Sequence, residues 1–164
     1  MAIWNEVHGW RFEYFDIDAT VRMADTFQRF RELWRTKRGD RNAPPWREFE
    51  FGELEEWWGR MSIMDIRHDP FDYCYRLWGT ALTSLFDYDA TGRCASDLRA
   101  SEKYNVDDEF EFYRLQATKP TLSFTSGSVF WQDRSHRTFR FIELPLSDDS
   151  ESVTNIISVL ERPV

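Results

Sequence analysis

The hydrophobic period of this sequence changes near residue 60, and that change limits the folds open to the chain. Before it, Met23, Phe27, Phe30 and Trp34 recur at spacings of four, three and four residues. This spacing predicts an amphipathic helix of about five turns, which Gly39 would end. After residue 60, short apolar segments separated by turn residues are typical of β-strands. The chain is therefore neither all-helical nor all-β.

The later segments predict an antiparallel sheet. Strands are expected at 61–67, 73–78, 121–131, 138–146 and 152–160, and short helices at 51–58, 81–86 and 107–118. Hairpins at both ends with helices between them indicate an α+β domain whose helices lie on one face of the sheet. The paired Pro44 and Pro45 cannot continue a helix. We therefore divide the chain into an N-terminal extension with its amphipathic helix, 1–45, and a domain, 46–164.

The composition disfavours some classes of binding partner and indicates a cellular compartment. The 164 residues carry a formal net charge of −8, which disfavours nucleic acid and anionic membranes as partners. No stretch approaches the roughly 20 apolar residues of a membrane span. Two cysteines are too few for a disulfide framework and too few for a thiolate zinc site, and Cys94 is expected to be a small, partly buried thiol. We expect a protein of the reducing cytoplasm.

Several phrases of the sequence occur together in the order typical of one family. They are Leu33-Trp34-Arg35 with Gly39, Pro44-Pro45, Tyr75-Arg76-Leu77-Trp78-Gly79-Thr80, Thr91-Gly92-Arg93 and Glu143-Leu144-Pro145-Leu146. With this order, residues 26–162 resemble the PAS domain, most closely a bacterial family of short proteins with a single PAS domain. The resemblance implies a five-stranded sheet of order 2-1-5-4-3. It also implies a sensory or protein-interaction module, with a small molecule held between the sheet and the short helices.

Catalytic and cofactor motifs are not found in the sequence. There is no Gly-x-Ser-x-Gly phrase, and His8, His68 and His136 are not spaced for a triad or a zinc helix. Haem-binding PAS domains usually take a histidine from the helical side, yet no histidine occurs in 80–120. Cys94 lies in a phrase that departs from that of flavin-binding PAS domains. We therefore expect a non-enzymatic protein without haem, flavin or metal.

A small-molecule pocket is the remaining candidate site. The residues expected to line it are Arg76, Thr80, Tyr113, Thr125, Trp131 and Phe141, with Ser123 and Phe139. Arg76 would either bind a ligand carboxylate or phosphate, or form a salt bridge with an acid such as Asp65. Thr80 would line the pocket or cap the following helix. The aromatic residues would line the cavity or simply form core.

Two further alternatives concern assembly and function. The stripe of Met23, Phe27, Phe30 and Trp34 would pack on its own domain or pair with a second copy as a homodimer, and a signal would otherwise leave through another protein. A different class of function is a ligand-binding protein or small enzyme of the cone-shaped α+β type, similar to nuclear transport factor. That alternative requires a deep pocket containing an Asp–His or Asp–Tyr pair.

Overall fold

The computed structural model describes residues 2–7, 10–99, 107–129 and 134–161. The strands are β1 (Ala2–Val7), β2 (Trp10–Asp16), β3 (Met61–His68), β4 (Phe71–Trp78), β5 (Thr121–Val129), β6 (Arg134–Leu146) and β7 (Asn155–Leu160). The α-helices are α1 (Asp25–Arg38), α2 (Thr80–Phe86), α3 (Ala95–Arg99) and α4 (Asp107–Thr118). Two 3₁₀ helices, Trp46–Glu48 and Phe51–Trp57, follow α1. The fold is α+β, as predicted.

The strands form one antiparallel sheet in the order β1-β2-β5-β6-β7-β3-β4. The predicted sheet of five strands is therefore too small, because two N-terminal strands extend it beyond β5. β2 pairs with β5 from Arg11 opposite Ser126 to Asp16 opposite Thr121. The N-terminal segment thus supplies an internal strand of the sheet.

α1 is shorter than the sequence predicts, because it begins at Asp25 and residues 19–24 are not helical. The buried Arg31 explains the difference. Its guanidinium donates hydrogen bonds to the carbonyl oxygens of Ile17 and Ala19, at 2.9 and 2.7 Å. These bonds hold the segment before the helix in place. Burial lowers the pKa of Arg31 to about 10, and Gly39, with a positive φ of 58°, ends the helix as expected.

One face of the sheet, the back face, carries the main apolar core beneath α1. Alternate residues of the central strands point to it, among them Leu122, Phe124, Ile142 and Leu144. Phe27, Phe30 and Trp34 are completely buried in this core, Met23 packs against it, and the Trp34 indole donates to the Pro145 carbonyl oxygen at 2.7 Å. The chain's own sheet therefore covers the stripe that we considered for dimerisation. A dimer through these residues would require them to leave the core.

The opposite face, the front face, lies under α2, α3 and α4. Aromatic residues of the sheet, such as Phe12 and Tyr73, pack there against Phe112 of α4, and the central strands add buried polar side chains. Gly79 places α2 at the end of β4, because a Cβ there would lie only 2.2 Å from the Gly59 carbonyl oxygen. The sheet is thus covered on both faces by helices.

Cys74 and Cys94 are joined in a disulfide, which corrects the expected free thiol. Nothing in the local sequence pattern indicates that these two cysteines meet, because they lie 20 residues apart in the chain. The expected cytoplasmic location stays a prediction. Among the described residues, none of the helices has the length and apolar character to cross a bilayer.

Candidate ligand-binding site

Seven polar side chains meet on the front face, where α4 crosses the sheet. We call them the tyrosine–glutamate cluster: Tyr73, Tyr75, Glu109, Tyr113, Ser123, Thr125 and Glu143. Strand alternation brings the two tyrosines of β4 to one face, and does the same for Ser123 and Thr125 of β5. Glu109 and Tyr113 are four residues apart on α4 and therefore lie on one side of that helix.

Glu143 lies at the centre of the cluster and is 2% exposed. The Tyr113 hydroxyl donates to Oε1 of Glu143. The hydroxyls of Ser123 and Thr125 donate to its Oε2, at 3.2 and 3.3 Å. Burial raises the pKa of Glu143 to about 7, although the three hydroxyls partly oppose this rise. The side chain therefore exchanges a proton near neutral pH.

Glu109 is the second carboxyl of the cluster and is only partly buried. The hydroxyls of Tyr73 and Tyr75 both donate to its Oε1, at 2.9 and 3.4 Å. Burial raises the pKa of Glu109 as well, and its charge contributes to the raised pKa of Glu143. The cluster thus extends from a partly exposed carboxyl on α4 to a fully buried one on β6.

The three tyrosines remain protonated donors at physiological pH. Burial raises the pKa of Tyr73, Tyr75 and Tyr113 well above the ordinary value, and the neighbouring carboxylates add to the effect. Their rings pack edge to face, with centroids 5.9 Å apart for Tyr73 and Tyr75 and 5.0 Å apart for Tyr73 and Tyr113. The hydroxyl groups of these packed rings are therefore directed at the two carboxyls.

Within the described part of the chain, no Lys, Arg or His side chain forms an ion pair with Glu109 or Glu143. The neighbours that do contact them are neutral hydroxyls. A buried carboxylate without a cation costs free energy, and this cost explains the raised pKa values. A positively charged group brought between the two carboxyls would recover part of this free energy.

The structure brings together some of the predicted pocket residues and separates others. Tyr113 and Thr125 belong to the cluster, and Phe141 lies beside it on the same face, in an apolar group with Phe139. Trp131 lies outside the described residues. Arg76 and Thr80 are exposed and lie outside the cluster.

Arg76 and Thr80 lie elsewhere for local reasons. Arg76 neighbours Tyr75 in β4 and so points to the other side of the strand. There its Nε lies 3.0 Å from Oδ1 of Asp65, which is the salt bridge considered as the alternative. Thr80 is the first residue of α2, and Gly79 holds the capping position.

Sequence reasoning missed Tyr73, Tyr75, Glu109 and Glu143. The sequence pattern could have indicated Glu143. It is two residues after Phe141 and four after Phe139, so all three side chains lie on the same, inward face of the strand. A charged residue at such a position must be paired or functional. Glu109 had a weaker signal, since an acid in the first turn of α4 is equally well explained by the helix dipole.

No protein-family model matches this chain, and no curated protein or solved structure is detectably similar to it. The resemblance to the PAS domain therefore stays a prediction.

Proposed function

We propose that this protein is a non-enzymatic, PAS-type sensory module that binds a small organic cation in the tyrosine–glutamate cluster. A bound amine or related cation would lie between the sheet and α4, and its presence would be passed on to a protein partner. The observation that carries the proposal is the pair of carboxyls, Glu109 and Glu143, which accept hydrogen bonds from tyrosine hydroxyls and form no ion pair with any cationic side chain that the structure describes.

The chemistry of the cluster favours a cation over other ligands. A ligand ammonium group would form charge-assisted hydrogen bonds with the two carboxylates. The hydroxyl oxygens of Tyr73, Tyr75 and Tyr113, which lie beside the carboxyls, could accept further hydrogen bonds from the same ammonium group. An anionic ligand would meet two carboxylates and is disfavoured. Because Glu109 is partly exposed, entry would take place beside α4.

The arrangement of the sheet supports the PAS-type part of the proposal. Strands β4, β3, β7, β6 and β5 lie side by side in that order, with β2 and β1 outside β5. Numbered along the chain from β3, this is the order 2-1-5-4-3 that the resemblance implies. The short helices α2 and α3 and the longer α4 lie on the same face as the cluster, where a PAS-type ligand is expected.

Thermal unfolding with a ligand panel tests the proposal. The panel pairs primary amines, guanidines and quaternary ammonium compounds with carboxylic acids and neutral alcohols of the same carbon skeleton, at pH 8. A ligand at a hundred times its Kd stabilises the folded state by about 2.7 kcal/mol. We expect stabilisation by one or more cations and none by their acidic or neutral counterparts. Stabilisation by acids alone, or by no member, would contradict the proposal.

Two cluster variants and one matched control locate the binding. Glu143→Gln removes the central charge, and Tyr113→Phe removes the hydroxyl that donates to Oε1 of Glu143. Both are therefore expected to reduce the rise in Tm that the cation causes. Arg76→Gln changes an exposed charge on the other side of β4 and should leave the shift unchanged. An equal shift in all three variants would place binding outside the cluster.

A second candidate function is that of a small enzyme, although the strand order of the sheet disfavours the cone-shaped α+β type. It is favoured by one observation, the hydrogen-bonded pair of Tyr113 and Glu143, whose carboxyl has a pKa of about 7. A carboxyl of this pKa is suited to general acid–base catalysis near neutral pH. Conversion of a stabilising ligand, followed by mass spectrometry and abolished in Glu143→Gln, would favour this function over binding alone.

A further inference from the structure

The disulfide joins a strand to the segment that leads into α3. Cys74 lies in the middle of β4, at the edge of the sheet, and faces Cys94 in an isolated antiparallel bridge. Two backbone hydrogen bonds flank the pair: Tyr75 donates to Arg93 at 2.9 Å, and Gly92 donates to Tyr75 at 2.8 Å. Cys94 is therefore held beside β4 by the backbone as well as by its sulfur.

A carboxylate lies beside the two sulfurs. Asp72 is two residues before Cys74 in β4 and so points to the same side of the strand. One of its oxygens and both sulfur atoms lie within 4.8 Å of one another. Asp72 is 8% exposed. Its carboxylate accepts hydrogen bonds from the backbone N–H of Ser96 at 3.1 Å and from the Ser96 hydroxyl at 2.7 Å. Such bonds fix the orientation of a ligating carboxylate.

We propose that Asp72, Cys74 and Cys94 bind a zinc ion when the disulfide is reduced. Two thiolates and a carboxylate supply three zinc ligands, and water would complete a tetrahedral site. Thiolates select zinc over magnesium or calcium, which prefer oxygen ligands. Tetrahedral zinc with Zn–S bonds of about 2.3 Å places two sulfurs about 3.8 Å apart. Rotation of the cysteine side chains can reach this separation, because the two Cα atoms are 3.9 Å apart.

Metal binding requires that an external dithiol first reduce the Cys74–Cys94 disulfide. Two electrons and two protons convert the disulfide to two thiols, while the dithiol becomes a disulfide. Zinc then displaces the two thiol protons into solvent. The consequence is that β4 and α3 stay joined in both redox states, by the S–S bond under oxidising conditions and by the metal under reducing conditions. Because β4 carries Tyr73 and Tyr75, this link between β4 and α3 supports one side of the tyrosine–glutamate cluster.

Metal titration of the oxidised and the reduced protein tests this proposal. The protein is reduced with a phosphine, freed of reductant without oxygen, and titrated with Co²⁺ and then with Zn²⁺ against a chromogenic chelator. We expect one equivalent of metal and a thiolate-to-cobalt absorption band in the reduced protein, and neither in the oxidised protein. Equal metal binding by both forms, or none by the reduced form, would overturn the proposal.

Single substitutions assign the ligands. Cys94→Ser and Asp72→Asn are expected to weaken zinc binding at least tenfold, whereas Asp89→Asn, an exposed change in the neighbouring loop, should not alter it. Far-UV circular dichroism checks that each variant is folded. If a ligand variant unfolds, the comparison of oxidised with reduced wild-type protein still shows whether zinc binding requires the two free thiols. Unchanged zinc affinity in a folded Cys94→Ser variant would overturn the assignment.

Discussion

Glu143 makes the stability of the protein depend on pH. Its pKa is about 7 in the folded chain, against an ordinary value of 4.5, so the folded state binds the proton more tightly than the unfolded state. Stability from this group is fully present below pH 4.5 and is lost as the pH rises through about 7. At about 1.4 kcal/mol for each pKa unit, the loss amounts to about 3 kcal/mol.

Urea denaturation between pH 4.5 and 8 measures this loss. We expect the free energy of unfolding to fall across this range in the wild type and to fall less steeply in Glu143→Gln, which has no proton to lose. Glu55→Gln, a change at an exposed residue, serves as control and should follow the wild type. Equal slopes in the wild type and Glu143→Gln would contradict the assigned pKa.

Tyr113→Phe is expected to cost more stability at high pH than at low pH. The Tyr113 hydroxyl donates to a carboxyl that is charged at pH 8 and mostly neutral at pH 5. Loss of a donor to a buried charge costs about 1–3 kcal/mol, and loss of a donor to a neutral group costs less. Denaturation of wild type and variant at both pH values measures the difference. An identical cost at pH 5 and pH 8 would show that the hydroxyl does not stabilise the charged form.

For the individual residues of the tyrosine–glutamate cluster, the sequence indicated hydroxyls and aromatic rings but not the two carboxyls beside them. Tyr113 and Thr125 were predicted because small-molecule sites combine aromatic and hydroxyl side chains. Glu143 was overlooked because a carboxylate inside a sheet conflicts with ordinary burial preferences. Which hydroxyls reach it depends on the register of β5 with β6, where Ser123 lies opposite Glu143, and no local pattern fixes that register.

Most elements after residue 60 followed from local patterns, whereas α3 and the N-terminal strands did not. The predicted helix at 107–118 has the bounds of α4, because acids at its start and Pro120 after its end mark it. β2 was not predicted, although Trp10, Phe12 and Tyr14 alternate with charged residues. That alternation extends over only five residues, and the partner strand β5 lies more than 100 residues away.

At Gly127, the N-terminal strand β2 packs closely against β5. A Cβ at this position would lie 2.5 Å from Cδ1 of Trp10, and the Trp10 indole donates to the Ser128 carbonyl oxygen at 2.8 Å. Gly127→Ala is therefore expected to displace Trp10 and to destabilise the fold by about 1–3 kcal/mol. Urea denaturation with tryptophan fluorescence measures both effects.

Gly52→Ala is the matched control for this prediction. A Cβ at Gly52 meets no atom within 4 Å, so the change should be neutral or stabilise the fold by up to about 1 kcal/mol. If Gly127→Ala is as well tolerated as Gly52→Ala, β2 does not pack against β5 as the structure has it.

On the scale of the whole molecule, the described residues form one seven-stranded sheet with α1 on its back face and α2, α3 and α4 on its front face. The α+β class was predictable, because hydrophobic periods distinguish helices from strands. Burial of Phe27, Phe30 and Trp34 beneath the sheet was one of two open alternatives, since an apolar stripe does not show which surface covers it. The two faces now have separate roles: the back face carries the apolar core, and the front face carries the polar cluster.

A crystal structure of the protein soaked with the most stabilising cation tests the central claim most directly. We predict ligand density between α4 and the sheet, with the cationic nitrogen about 3 Å from carboxyl oxygens of Glu109 and Glu143. Density for the same compound elsewhere on the protein, with the tyrosine–glutamate cluster unchanged, would contradict the claim.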